Sequence, residues 1–121
     1  KREIAASYNA DFSEVRSIHP LRGHPDSLST FWLYTVRIDA DAGGCGSREL
    51  LAALEADGIQ TRPLWQPMHL SPAHKGAFST DCEAAERLNR ECLSLPCSVG
   101  LAEEERRRVA AQVLRILGEG R

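Results

Sequence analysis

The residue types best suited to chemistry crowd into one stretch, Gly58 to Pro72, which reads GIQTRPLWQPMHLSP. Arg62, Trp65, Met68 and His69 lie within it. The run is too apolar for an ordinary solvated loop and too interrupted for a helix. Each proline fixes its own φ and biases the preceding residue toward extended geometry. A stiff, extended strand and loop is expected, presenting Arg62, Trp65 and His69 at defined positions. Such loops on a rigid scaffold often carry binding function. An imidazole held by Pro67 and Pro72 can donate, accept or steer a proton. The plainer reading is that Trp65 and Met68 cap a small core and Arg62 makes a surface ion pair.

Other chemical signatures are missing. The string Gly43-Gly44-Cys45-Gly46 precedes a helix but lacks both the P-loop and the dinucleotide spacing, so a flexible turn is the better reading. There is no G-x-S-x-G elbow and no His-Glu-x-x-His helix. Asp39 and Asp41 stand at a strand end, where they shape a turn. His19, His24 and His74 lie in polar loops and need no special role. His69, His74 and Cys82 match no standard zinc-ligand spacing, so no metal site is expected. Four cysteines, Cys45, Cys82, Cys92 and Cys97, show no C-x-x-C spacing and read as reduced structural thiols.

Composition bounds the class. A chain of 121 residues is one domain, with 42% apolar and 26% charged residues, the mix of a soluble globular protein. A net charge of -2 leaves no basic footprint for nucleic acid and no polybasic patch for a membrane. No signal-peptide pattern opens the chain, and a cytoplasmic location is expected. Basic charge is lopsided: 13 arginines against two lysines, Lys1 and Lys75.

The elements that must position the loop follow from periodicity. Ile4, Tyr8, Phe12 and Val15 recur at helical spacing, with no N-cap residue before them. Ser17 to Ser29 reads as loop. Phe31 to Ile38 reads as a strand, with Trp32, Tyr34, Val36 and Ile38 toward the core. Ser47 is expected to cap a helix, Arg48 to Asp57, whose stripe is Leu50, Leu51 and Leu54. Gly58 fits the position after its end. Ile59 to Leu64 and Cys92 to Pro96 are further strands. Asp81 can cap a helix from Cys82 to Glu91. A last helix covers Ala102 to Leu117, buried through Leu101, Val109, Val113, Ile116 and Leu117. Its run Glu103 to Arg108 (EEERRR) reads as a solvated face. The fold class is therefore α+β: a small three-stranded sheet with helices packed on one side and at least some mixed pairing.

Four segments in order carry a resemblance: Arg2 to Tyr8 (REIAASY), Trp32 to Ile38 (WLYTVRI), the Gly58 to Pro72 loop, and Ala85 to Val109 (AERLNRECLSLPCSVGLAEEERRRV). Together the chain closely resembles the C-terminal small domain of DegT/DnrJ/StrS nucleotide-sugar aminotransferases, pyridoxal-phosphate enzymes of the aspartate-aminotransferase superfamily. Ala102 stands where the family commonly has threonine, at a cost of about 1 kcal/mol for the lost cap. The resemblance implies one small domain over 1–121, with an interdomain helix over 1–16 and an α/β body over 30–121. It implies that the full protein moves an amino group from glutamate to a nucleotide-linked 4-keto-6-deoxy sugar. The TRPLWxPMH form is similar to members that aminate UDP-linked 2-acetamido sugars, although perosamine-type enzymes carry similar loops. The implied partners are a UDP-sugar or other nucleotide sugar, the chain's own large domain, and a second copy in a homodimer. Arg62, Trp65, Met68 and His69 are then the expected substrate-binding residues, and Ile4, Tyr8 and Phe12 join Trp65 and Met68 in an exposed docking patch. Pyridoxal phosphate and its Schiff-base lysine belong to the large domain. Lys1 and Lys75 lack the family's lysine motif, so no catalytic or cofactor-binding residue is expected in this chain. A stand-alone ligand-binding or protein-interaction module of α+β fold is the alternative.

Overall fold

A computed structural model describes residues 1–119. The last two positions of the expected 30–121 body, 120 and 121, lie outside the described residues. Helix α1 (Arg2–Asp11) leads to strand β1 (Ile18–Pro20), β2 (Tyr34–Ile38), a single turn α2 (Ala40–Gly43) and α3 (Ser47–Ala56). Strand β3 (Arg62–Pro63), two 3-10 turns (Met68–Leu70 and Pro72–His74), α4 (Glu83–Glu91), β4 (Cys92–Leu95) and α5 (Glu103–Ile116) follow.

The sheet has four strands rather than three, in the order β1-β2-β4-β3, and every pair is antiparallel. Among the described residues, the mixed pairing expected from the helical connections is not formed. The extra strand, β1, lies inside the segment read as loop. His19-Pro20 hides it, because a proline is tolerated at the sheet edge where its missing donor faces no partner. The same reasoning shortens β3: only Arg62 and Pro63 pair with Ser94 and Leu93.

Register puts Ile18, Tyr34, Val36, Ile38, Leu93 and Leu95 on one face. That face is buried under Ala5, Tyr8 and Phe12 of α1 and its end, Leu50 and Leu54 of α3, and Val109, Ala110, Val113 and Leu117 of α5 and its end. Tyr8 stacks on Tyr34 at 4.9 Å, and each phenol is hydrogen-bonded: Tyr8 donates to the Pro96 carbonyl and Tyr34 to Asn9 Oδ1. Tyr8 and Phe12 are thus core residues and not part of an exposed docking patch, because α1 lies flat on the sheet. The opposite face carries Thr35, Ser94 and Arg62 side by side, with Thr35 Oγ1 and Ser94 Oγ 2.9 Å apart.

Two helix starts differ from expectation. Ser47 does not cap α3; it is the first helical residue, and its buried hydroxyl donates to the Arg90 carbonyl, fastening α3 to α4. Gly46 is the cap, and Glu49 Oε2 accepts its N–H at 2.7 Å. Glu105 does the same for the Ala102 N–H at 3.2 Å, recovering part of what threonine would supply. Asp39 caps α2 by accepting from the N–H groups of Asp41 and Ala42, and Asp81 accepts from Glu83 N–H. Arg106 is the other departure. It lies in the run read as solvated yet is 4% exposed, paired with Asp11 and Glu103, with its guanidinium 5.3 Å from the Tyr8 ring centre.

Candidate functional site

The stretch from Gly58 to Pro72 leaves α3 through Gly58, whose φ of 74° is the left-handed turn that favours glycine. Ile59 dips into the core, and β3 then runs along the sheet edge. Helix α4 holds the remainder. Asn89 Nδ2 donates to the Leu64 carbonyl at 2.6 Å, and Glu86 Oε1 sits 2.8 Å from His69 Nε2. Gln66 Nε2 donates to the Leu70 carbonyl at 2.8 Å, closing the 3-10 turn that carries Met68 and His69. The rigidity expected from the prolines is therefore completed by α4.

The four expected site residues do not converge on one point. Arg62 is exposed on β3 and lines a cavity of about 500 Å³ with Trp32, Leu33, Pro96, Lys1 and Arg108. Met68 and His69 line a second cavity of about 500 Å³, walled by His74, Phe78, Cys82 and Ala85. Trp65, 67% exposed, stands against Trp32, with ring centres 5.6 Å apart and planes at 37°. Trp65 and Met68 are too exposed to cap a core. A third cavity, about 570 Å³, runs between α1 and the 18–31 segment and contains none of the four.

His69 has a partner that its loop position did not suggest. With Nε2 committed to Glu86, Nδ1 is the ring nitrogen left for a ligand. Glu86 and Asn89 are three apart on α4, a spacing that puts them on one face. Trp32 was expected in the core and is 66% exposed. The reason is Phe31, whose φ of 48° breaks the alternation three residues before β2 begins. Sequence gave no sign of this, because such geometry is ordinarily signalled by glycine or asparagine.

Among the described residues, no group of three His, Cys, Asp or Glu side chains comes together to hold a metal, although His69, His74 and Cys82 share a cavity. The four cysteines are free, and burial pushes the Cys45 and Cys92 thiols up. Among the described residues, no helix is long and apolar enough to cross a membrane.

Residues 1–114 match the DegT/DnrJ/EryC1/StrS aminotransferase family. The chain belongs to that family. It is similar to GDP-perosamine synthase of Caulobacter vibrioides, with 33% identity over 87 residues, which is 72% of this chain and 23% of that protein. Among solved structures it resembles the aminotransferase TlmJ from Streptoalloteichus hindustanus, with a TM-score of 0.84 and 27% identity over 97% of this chain and 30% of the other. It also resembles DesV of S. venezuelae, solved with a ketimine intermediate, with a TM-score of 0.83 and 29% identity over 96% of this chain and 30% of the other. The chain thus spans about a quarter to a third of the relatives it matches. Its α+β architecture is part of an aspartate-aminotransferase-like fold.

The family binds pyridoxal phosphate. That group needs a lysine free to bond it. Lys1 Nζ donates to the Trp32 carbonyl at 2.7 Å, and Lys75 is exposed in the loop after the second 3-10 turn.

Proposed function

We propose that the whole protein transfers an amino group from glutamate to a nucleotide-linked 4-keto-6-deoxy sugar, and that this chain supplies the small domain lining the substrate cleft. The family match across 1–114 carries the reading. Likeness to a protein named for perosamine synthesis supports a sugar substrate. Pyridoxal phosphate supplies the electron sink for amino transfer and is held outside this chain, in a cytoplasmic homodimer. Arg62 contributes a cation for an anionic group, Trp65 and Met68 an apolar wall, and His69 a hydrogen bond through Nδ1.

The test is the whole gene product loaded with pyridoxal phosphate. Glutamate should change the cofactor's absorbance, and a nucleotide-linked 4-keto sugar should restore it while giving an amino sugar by mass spectrometry. Failure with every amino donor would overturn the reading. Retained nucleotide-sugar binding without transfer would favour a binding module instead.

A further inference from the structure

Helix α4 grips the loop and is itself gripped from behind. Ser47 Oγ of α3 donates to the Arg90 carbonyl, and Arg48 Nη2 donates to the Asn89 carbonyl at 2.8 Å. With its last turn fixed in this way, α4 takes hold of the loop at two points three residues apart on one face: Asn89 at the Leu64 carbonyl and Glu86 at His69. Both oxygens of the Glu86 carboxylate have a partner. Oε1 lies 2.8 Å from His69 Nε2, and Oε2 lies 3.8 Å from Arg90 Nη1. Gln66 closes the 3-10 turn beneath the ring. All these contacts lie within 47–90, so they do not depend on what covers the loop.

A half-exposed pair of this kind contributes little to stability. Its consequence is chemical. A carboxylate only accepts, so Nε2 carries the proton of the bond. A neutral imidazole has a single N–H. With that proton on Nε2, Nδ1 is left as an acceptor. The partner of Nδ1 must then bring a proton of its own. The diphosphate of a nucleotide sugar is ionised and has none to give, whereas each sugar hydroxyl has one.

We infer that Glu86 is a positioning residue for His69. It fixes the Nε2–H tautomer, so that the neutral ring recognises a sugar hydroxyl through Nδ1 and not a phosphate oxygen. This rests on the reading of His69 as a substrate contact above and names the group it contacts.

Histidine-selective nitrogen-15 NMR of the whole gene product tests the tautomer without sugar or amino donor, at a pH high enough for neutral imidazole. His69→Asn identifies the signals. His69 should show a protonated Nε2 and a bare Nδ1. Glu86→Ala should turn this into a mixture of tautomers, and Glu86→Gln, whose amide oxygen still accepts, should keep it. A bare Nε2, or a ring that Glu86→Ala leaves unchanged, overturns the proposal. In kinetics, Glu86→Ala should lower kcat/KM for the keto sugar about tenfold, but less than about twofold beside His69→Ala, because it acts through that ring. Glu86→Gln should recover most of the loss, and every variant should keep native dichroism. Equal losses in both backgrounds overturn the proposal, by making Glu86 merely structural. Substrates with single hydroxyls replaced by fluorine, which cannot donate, test the contact itself. One of them should lose about tenfold with the wild type and nothing with His69→Ala. A set with no such member overturns the hydroxyl assignment. A failed transfer assay leaves the spectrum to decide the tautomer, and a wrong tautomer with normal transfer removes Glu86 while the aminotransferase reading stands.

Discussion

Arg106 shows how much one misplaced residue changes the energetics. A surface Arg in a Glu-Arg run contributes little. Buried at 4% exposure, this one joins α5 to α1 through Asp11 and covers the Tyr8 ring. Breaking a fully buried pair costs about 3–5 kcal/mol. Asp11 and Glu103 are 33% and 53% exposed and can be rehydrated, so Arg106→Ala should cost less, about 2 kcal/mol in urea unfolding. A loss under about 0.5 kcal/mol would return Arg106 to the surface class. Hydrogen bonding from Arg106, aided by Arg107, holds the Glu103 carboxyl down from 4.5 to about 2. A depressed carboxyl stabilises the fold above its unfolded value and loses that contribution as pH falls through its folded value. Glu103→Gln should therefore flatten the loss of stability between pH 4.5 and about 2. An unchanged acid profile would rule this out. His69 belongs at this scale too. Its pairing with Glu86 is partly exposed, so His69→Ala should cost no more than about 1 kcal/mol. In the whole enzyme it should lower kcat/KM for the keto sugar about tenfold. Wild-type kinetics, or a defect fully explained by lost stability, would remove His69 from the site.

At the scale of elements, close approaches decide what may change. A Cβ at Gly43 would lie 2.7 Å from Ser17 Cβ and 3.1 Å from Leu117 Cδ2. Gly43→Ala should force α2 away from the chain before β1 and cost about 1–3 kcal/mol. Gly58→Ala meets open space and should lose only about 1 kcal/mol, through its left-handed φ. Chemical denaturation of the pair would test the contrast; equal losses would mean that the Gly43 contact relaxes freely. These two glycines also show what sequence could convey. Gly58 was legible because it ends a periodic helix, whereas Gly43 looked like loose turn because its reason is a tertiary contact. Helices α1, α3, α4 and α5 and strands β2 and β4 announced themselves by period and length. Strand β1 did not, since three residues ending in proline carry no period. The site was legible as a stretch, Gly58 to Pro72, and not as a geometry. Glu86, Asn89 and Trp32 join it through α4 packing and the Phe31 backbone, neither of which a local pattern encodes.

For the whole molecule, the seam between α1 and the sheet is the feature on which cooperativity turns. The chain's two tyrosines, Tyr8 and Tyr34, are stacked there at 0% and 1% exposure. Burial pushes both phenols above their ordinary value of 10.0, and for Tyr8 the nearby Arg106 offsets part of the rise. The sign follows from proton binding. Above pH 10.0 the unfolded chain releases protons that the folded chain retains, so rising pH drives unfolding. The stabilisation is fully present below pH 10.0 and drains away above it. Both phenols should therefore stay protonated past their ordinary range and then ionise together as the fold opens. Phenolate absorbance and far-ultraviolet dichroism, followed through an alkaline titration, should change in one coincident transition. Arg106→Ala should move that transition to lower pH, because the fold it acts on is weaker. If either tyrosine ionised near 10.0 while dichroism stayed native, α1 would not be sealed onto the sheet. The helix would then open independently of the body, and Lys1, which caps its N-terminus and donates to the Trp32 carbonyl, could not hold Trp32 beside Trp65.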